Sequence, residues 1–353
     1  MGKQRSTAET SLDPSFASDN TAGVCPEILQ ALTTVNHGPA LPYGADDATA
    51  RLQQWAQREF GPQAEIYPVF NGTGANVVAL QALLPRWGAA ICAQGAHVNN
   101  DEGAAPERLG AVKLLPRPGA EGKLTPQDIG AEVGALGFVH AAQPLAVSVT
   151  QSTEVGTLYS LDELSALAEA AHAHGMSLHV DGARLSNAAA ALGVSLGEAT
   201  AGAGADIVSL GGTKNGALAA EAVVVINPDR VRGTDYIRKF SMQLASKQRY
   251  ISAQLLELFS TDLWRRNAEH ANRCAAELAA RLSALQGVRL SGATPVNAVF
   301  PEVSAEIASR IQARYLAHVW GTAPSGNPVL RLMCSWQTRQ EDIDALLAVA
   351  AGE

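Results

Sequence analysis

Short apolar runs alternate along this chain with longer amphipathic stretches, and that alternation restricts the fold more than any other feature. Buried parallel strands read as continuous apolar runs, and each needs a crossover, usually a helix, to bring the chain back to the next. The clearest unit begins at Ser160. Ser160-Leu161-Asp162-Glu163 has the form of a capping box, in which the serine caps the helix and the glutamate three residues on reciprocates. A helix is expected through Leu164, Leu167, Ala168 and Ala171, stopping near Gly175. Residues 176–180 then predict a strand ending at Asp181, and residues 205–210 a second ending in Gly211-Gly212-Thr213-Lys214. Residues 222–226 predict a further, fully buried strand. The expected class is α/β, with a large domain built on a mostly parallel sheet.

From 231 to 284 the pattern is mostly helical. Short strands are expected near 288–290 and 297–300, a helix near 305–316, a strand near 329–334 and a closing helix, together a smaller C-terminal α/β domain. The predicted division is a flexible tail over 1–15, a large domain over 16–260 and a small domain over 261–353. The chain has 353 residues, 47% of them apolar and 17% charged, enough to bury a sizeable core. Its formal net charge is −8 with no cluster of Lys and Arg, which argues against a nucleic-acid partner. Cys25, Cys92, Cys274 and Cys334 lack metal-like or CxxC spacing and read as thiols of a reduced compartment, with no metal site. Met1-Gly2-Lys3-Gln4-Arg5-Ser6 fits a short myristoylation pattern, read here as chance. No apolar run reaches the ~18 residues of a membrane span, so a cytoplasmic location is expected.

Only six lysines occur, and only Lys214 directly follows an apolar strand, framed by Gly211, Gly212 and Gly216. Ligands of α/β sheets bind at the carboxyl ends of strands, where a desolvated amine can act as a nucleophile. The ordinary alternative is a surface-loop lysine. Asp181, in His179-Val180-Asp181-Gly182-Ala183-Arg184, puts a carboxylate at another strand end. There it could hold a proton on a pyridine nitrogen, or simply open a turn. Asn71-Gly72-Thr73-Gly74-Ala75-Asn76 precedes a helical run and could cup a phosphate through Gly72, Thr73, Gly74 and Ala75. It is neither a Walker loop nor a GxGxxG fingerprint, and a plain turn before a helix is the alternative.

The order of glycine cup, Asp at a strand end, and Lys at a later strand end 33 residues on resembles fold type I pyridoxal 5'-phosphate (PLP) enzymes. Closer motifs resemble the low-specificity L-threonine aldolases of the beta-eliminating lyase/threonine aldolase family. Ser18-Asp19-Asn20-Thr21 is similar to their N-terminal element, and Tyr43-Gly44-Ala45-Asp46-Asp47 to their YGxD segment. His97, followed five residues later by Glu102, matches the histidine that stacks on the PLP ring. The Asp181–Arg184 and Gly212–Gly216 segments match the pyridine and lysine motifs, and Arg331-Leu332-Met333-Cys334-Ser335-Trp336 the C-terminal arginine element.

The resemblance runs from about residue 16 to 340. It implies that Lys214 bonds covalently to PLP, with Asp181 at the ring nitrogen and Gly72–Ala75, Arg184 and Lys247 as further cofactor contacts. It implies Ser18, Tyr43, Arg184 and Arg331 as substrate contacts, with His97 or Glu102 handling the proton of the β-hydroxyl. The implied reaction is retro-aldol cleavage of L-threonine, L-allo-threonine or bulkier analogues such as phenylserine to glycine and an aldehyde. A homotetramer built from dimers is implied as well. Another PLP lyase or transferase, a PLP-binding protein without turnover, or an α/β nucleotide-binding protein are the alternatives. Two departures stand out. Many relatives carry a histidine in the stretch that here reads Thr150-Gln151-Ser152-Thr153-Glu154-Val155-Gly156, and Asn99 and Asn100 replace aromatic residues often seen after the stacking histidine.

Overall fold

The computed structural model describes residues 12–353. The expected tail over 1–15, with its myristoylation-like start, lies mostly outside the described residues. The chain divides into two compact units, Val24–Arg265 and a second that joins the N-terminal segment up to Gly23 with Arg266–Glu353.

The larger unit is built on seven strands: β1 (Glu65–Val69), β2 (Gly88–Ala93), β3 (Lys113–Arg117), β4 (Gln143–Thr150), β5 (Ser177–Gly182), β6 (Ile207–Gly211) and β7 (Glu221–Val225). Their order is β1-β7-β6-β5-β4-β2-β3. From β3 to β6 every neighbouring pair is parallel, while β7 runs antiparallel to both β6 and β1. Every residue of β2, β5, β6 and β7 is buried, which is why these strands read as short, mostly apolar runs, broken only by buried polar residues such as His179, Asp181, Ser209 and Glu221. The capping box forms as expected. Glu163 N–H donates to Ser160 Oγ at 3.1 Å, Ser160 N–H donates to Glu163 Oε2 at 2.8 Å, and the helix runs over Leu161–Ala173. It buries Leu164, Leu167, Ala168 and Ala171, the stripe its spacing predicts.

In this register the carboxyl ends of β4, β5 and β6 lie side by side. Thr150 pairs with Asp181 and Asp181 with Ser209. The opposite, amino end of the same strands carries the buried Asp206.

The second unit holds β8 (Val288–Leu290), β9 (Ala298–Val299), β10 (Pro301–Val303), β11 (His318–Thr322) and β12 (Pro328–Met333), all antiparallel. Helices Ala305–Arg314 and Gln340–Ala351 close a core that includes Leu278, Leu282, Val299, Ile311, Leu332 and Leu346. Two features differ from the sequence expectation. β11 was not foreseen, because all five of its residues are exposed and no buried face marks it. Residues 12–23 group with this unit and not with the large one. Phe16 is fully buried in its core, Met333 N–H donates to Phe16 O at 2.9 Å, and Asp13 exchanges backbone bonds with Arg314 and Leu316. No helix among the described residues is long and apolar enough to cross a membrane.

Candidate active site

The large unit gathers several of the sequence candidates at the carboxyl edge of its parallel strands. Asp181, the fifth residue of β5, is only 4% exposed. Its Oδ1 accepts from the Ala183 N–H at 3.0 Å, and its Oδ2 from Asn76 Nδ2 at 2.8 Å. Asn76 sits in the helix Gly72–Leu83, which the glycine-rich loop opens. That helix is capped by Asn71, whose Oδ1 accepts from the Gly74 N–H at 2.7 Å. A Cβ at Gly74 would come within 2.3 Å of the Gln243 side-chain amide, which would have to move aside. Gln243 Oε1 in turn accepts from the Phe70 N–H at 3.0 Å, fastening the loop from behind.

Asn76 Nδ2 also donates to Glu102 Oε1 at 2.7 Å, and the same oxygen meets His97 Nδ1 at 2.9 Å. One chain of hydrogen bonds thus runs Asp181–Asn76–Glu102–His97. His97 stands just after β2, on a four-residue helical turn. Its backbone N–H donates to Glu154 Oε1 at 2.7 Å, which also accepts from Thr150 Oγ1 at 2.8 Å. Glu154 thus ties the stretch after β4 to the start of the His97 turn. Burial raises its carboxyl above the usual carboxylate range.

The His97–Glu102 pair is asymmetric in exposure, the histidine side chain 40% exposed and the glutamate's fully enclosed. The hydrogen bond to Glu102 raises the affinity of His97 for a proton, and the charge of Asp181 adds to it, while burial and the Lys214 charge oppose it. Burial pushes Glu102 up, as does Asp181, and the bonds from His97 and Asn76 pull it back. Both shifts act in one direction: the pair holds its proton to higher pH than either free side chain. Among the described residues two buried acceptors here have no hydrogen-bond partner, Glu102 Oε2 and Asn76 Oδ1.

Lys214 lies in the short turn Thr213–Asn215 after β6. The turn is held from β7, whose first residue, Glu221, is 7% exposed. Glu221 accepts from the Gly212 N–H at 3.1 Å and the Thr213 N–H at 3.4 Å. Burial pushes its carboxyl up to about 7, against the Thr213 hydroxyl bond, the Lys214 charge and the two N–H donors. A Cβ on Gly212 would meet Ala220 O at 2.5 Å, so only glycine lets the turn pack this closely on β7. Beneath the site, fully buried His179 bonds Ser148 Oγ at 2.9 Å and Ser209 Oγ at 3.0 Å. Burial pulls its imidazole down to about 4, opposed by Asp181, so it stays neutral and ties three strands together.

The remaining candidates are placed separately. Arg184 stands at the start of the helix Leu185–Leu192, three residues past Asp181. Tyr43 adopts a left-handed φ of 58°, and its N–H donates to Ser246 O at 3.0 Å, beside exposed Lys247. Ser18 and Arg331 belong to the second unit. There Arg331 packs its guanidinium 4.7 Å from the Trp320 ring and donates to Ala17 O at 3.2 Å, next to Ser18. Asn76, Glu154, Glu221 and Trp320 were not singled out in the sequence. Asn76 ended the glycine-rich motif but read only as part of its loop.

With this geometry established, the chain can be set beside known proteins. The Beta-eliminating lyase family profile matches residues 15–306. The chain belongs to that family. A low specificity L-threonine aldolase of Pseudomonas aeruginosa is 40% identical over 94% of this chain and 95% of its own length. One from a Pseudomonas strain is 38% identical over 94% of this chain and 96% of its own. Among solved structures, the Leishmania major threonine aldolase superposes with a TM-score of 0.88 at 26% identity, covering 94% of this chain and 97% of that one. The fold of this lyase-family member is that of the fold type I PLP-dependent enzymes: a large, mostly parallel sheet unit with a smaller α/β unit.

Proposed function

We propose that this family member is a PLP-dependent aldehyde-lyase that cleaves L-threonine and related β-hydroxy-α-amino acids to glycine and an aldehyde. The observation that carries the reading is the hydrogen-bond chain from Asp181 through Asn76 and Glu102 to His97, at the same strand edge as Lys214. The residues suit PLP. A buried carboxylate with spare lone pairs, a lysine on a strand-end turn, and two buried acceptors lacking partners match a positively charged ring and an aldehyde. Near full-length identity to named aldolases supports the substrate class.

When bound, PLP supplies an electron-accepting ring for the bond being cleaved. Lys214 Nζ would be the covalent anchor of the cofactor. The helix start at Gly72–Ala75 would cup its phosphate, with the Gly72 and Thr73 N–H groups as donors, since those of Gly74 and Ala75 go to Asn71, and with Arg184 and Lys247 as further contacts. Asp181 would hold a proton on the ring nitrogen of the bound cofactor. Ser18, Tyr43, Arg184 and Arg331 are the proposed substrate contacts, the arginines taking the α-carboxylate through charge-assisted bonds. His97 faces Glu102 through Nδ1; with Glu102 ionised, Nδ1 carries the hydrogen and donates it, leaving Nε2 as the base. Nε2 takes the β-hydroxyl proton, the Cα–Cβ bond breaks as Cβ–O becomes a carbonyl, and a proton returns to Cα. The protein is further proposed to be cytoplasmic and to work as a homotetramer built from dimers. The exposed apolar side chains Tyr236, Phe240 and Met242 on one segment of the large unit support an interface there.

The test is to add PLP to purified protein and to a Lys214→Ala variant, reduce with borohydride, and map the modified peptide by mass spectrometry. Label on Lys214 in the wild type, absent in the variant, is expected. Absence of any label would overturn the assignment of the cofactor.

A further inference from the structure

We propose that Asn76 is a positioning residue that, by giving one amide hydrogen to Asp181 and the other to Glu102, couples the carboxylate at the cofactor ring to the His97–Glu102 pair. The inference rests on the function proposed above and deepens it. An amide nitrogen carries two hydrogens, and Asn76 Nδ2 is 2.8 Å from Asp181 Oδ2 and 2.7 Å from Glu102 Oε1. Both acceptors are buried, and so is the amide, only 2% exposed. In such surroundings an unsolvated carboxylate is costly, and each donated hydrogen bond decides how readily it ionises. Among the described residues Asn76 is the side chain that hydrogen-bonds both acids: Glu102 Oε1 also meets His97 Nδ1, and its second oxygen has no partner there. The amide's position is set by the helix Gly72–Leu83, so the loop that opens the helix also fixes the spacing of the two acids.

The consequence for proton affinity has a definite sign. Glu102 Oε1 is shared between the Asn76 amide and His97 Nδ1. Without the amide, the oxygen's charge is less satisfied and it binds the imidazolium more strongly. His97 then keeps its proton to higher pH. The charged groups that act on His97 are Glu102, Asp181 and Lys214, and its backbone is held by Glu154; Glu102 feels His97 and Asp181. Asn76 is the neutral member among them, and it sets how two like charges are divided between two acceptors. A neutral amide that served packing alone would leave that proton equilibrium unchanged.

The experiment is imidazole 15N–1H NMR across pH, on wild type and Asn76→Leu, both stripped of cofactor and loaded with PLP. His97 is assigned by its absence in His97→Gln. In Asn76→Leu the His97 titration should move up by about one pH unit, a tenfold change in proton affinity. The acid limb of kcat/KM should move up with it, while the KM for threonine changes less than kcat. In a Glu102→Gln background the same substitution should leave His97 where it is. Asn76→Ser, smaller and polar, is a second variant should the leucine disturb folding, and an intermediate shift is expected from it. In the wild type, the two Asn76 side-chain amide protons should both lie downfield and both respond to the His97 titration. Unmoved titration in either folded variant, or amide protons insensitive to pH, would overturn the coupling. Because the stripped protein is measured too, a His97 shift without threonine cleavage would sink the proposed reaction and keep the coupling. Cleavage without the shift would do the reverse.

Discussion

Two histidine–carboxylate pairs stand at opposite edges of the same sheet, and they are built to opposite ends. At the amino edge, Asp206 Oδ2 meets His172 Nε2 at 2.8 Å and the Leu178 N–H at 2.8 Å, while Oδ1 takes Asn227 Nδ2 at 3.1 Å. Both oxygens are satisfied, by the helix residue His172 and by groups at the ends of β5 and β7. At the carboxyl edge, Glu102 is as enclosed as Asp206, yet one of its oxygens has no partner among the described residues and its shift is dominated by burial. A satisfied pair is a clasp. An unsatisfied pair stores unfavourable desolvation that a ligand can relieve, and it belongs where ligands of α/β sheets bind.

The comparison is broken most sharply at the histidines. His97→Gln should lower kcat on the order of a thousandfold, since it removes the proposed base. His172→Gln should leave kcat unchanged, and equal losses from both would erase the distinction. Next come the acids. Glu102→Gln should lower kcat on the order of a hundredfold with stability kept or raised, because a buried charge is removed. It should also shift the acid limb of kcat/KM to lower pH, since His97 loses the partner that raises it. Asp206→Ala should do the opposite, costing about 2–4 kcal/mol in chemical denaturation with kcat per folded molecule intact.

Glu221 sharpens the contrast from between the two, with donors of its own but a carboxyl pushed up to about 7. A carboxyl raised in the folded state favours folding while it is protonated. Its contribution is full below the ordinary value near 4.5 and is lost as pH rises toward 7. Glu221→Gln should therefore remove a fall in thermal midpoint between those two pH values in the cofactor-free protein. A wild-type midpoint that is level or rising there, and unchanged in slope by the substitution, would contradict the shift.

What could be read in the sequence followed burial. β5 and β6 are buried throughout, so their apolar runs and the polar residues ending them stood out, and with them Asp181 and Lys214. The capping box at Ser160 was legible because its partners are three residues apart. β11 left no trace, being exposed along its length. Neither did the bridge from Asn76, whose acceptors are 26 and 105 residues away, nor the return of Phe16 to the C-terminal core. Pairings of that kind are set by the closed fold, and no local propensity encodes them. Glu154 was visible only as part of a stretch lacking a histidine, and its bond to the His97 backbone depends on β2 and β4 lying side by side.

The most direct test is to incubate the PLP-loaded protein with L-threonine and quantify glycine, acetaldehyde, ammonia and 2-oxobutanoate, beside Lys214→Ala. Equimolar glycine and acetaldehyde from the wild type, and at least about a thousandfold less from the variant, is the predicted result. Ammonia and 2-oxobutanoate in their place, or undiminished glycine from the variant, would contradict the account.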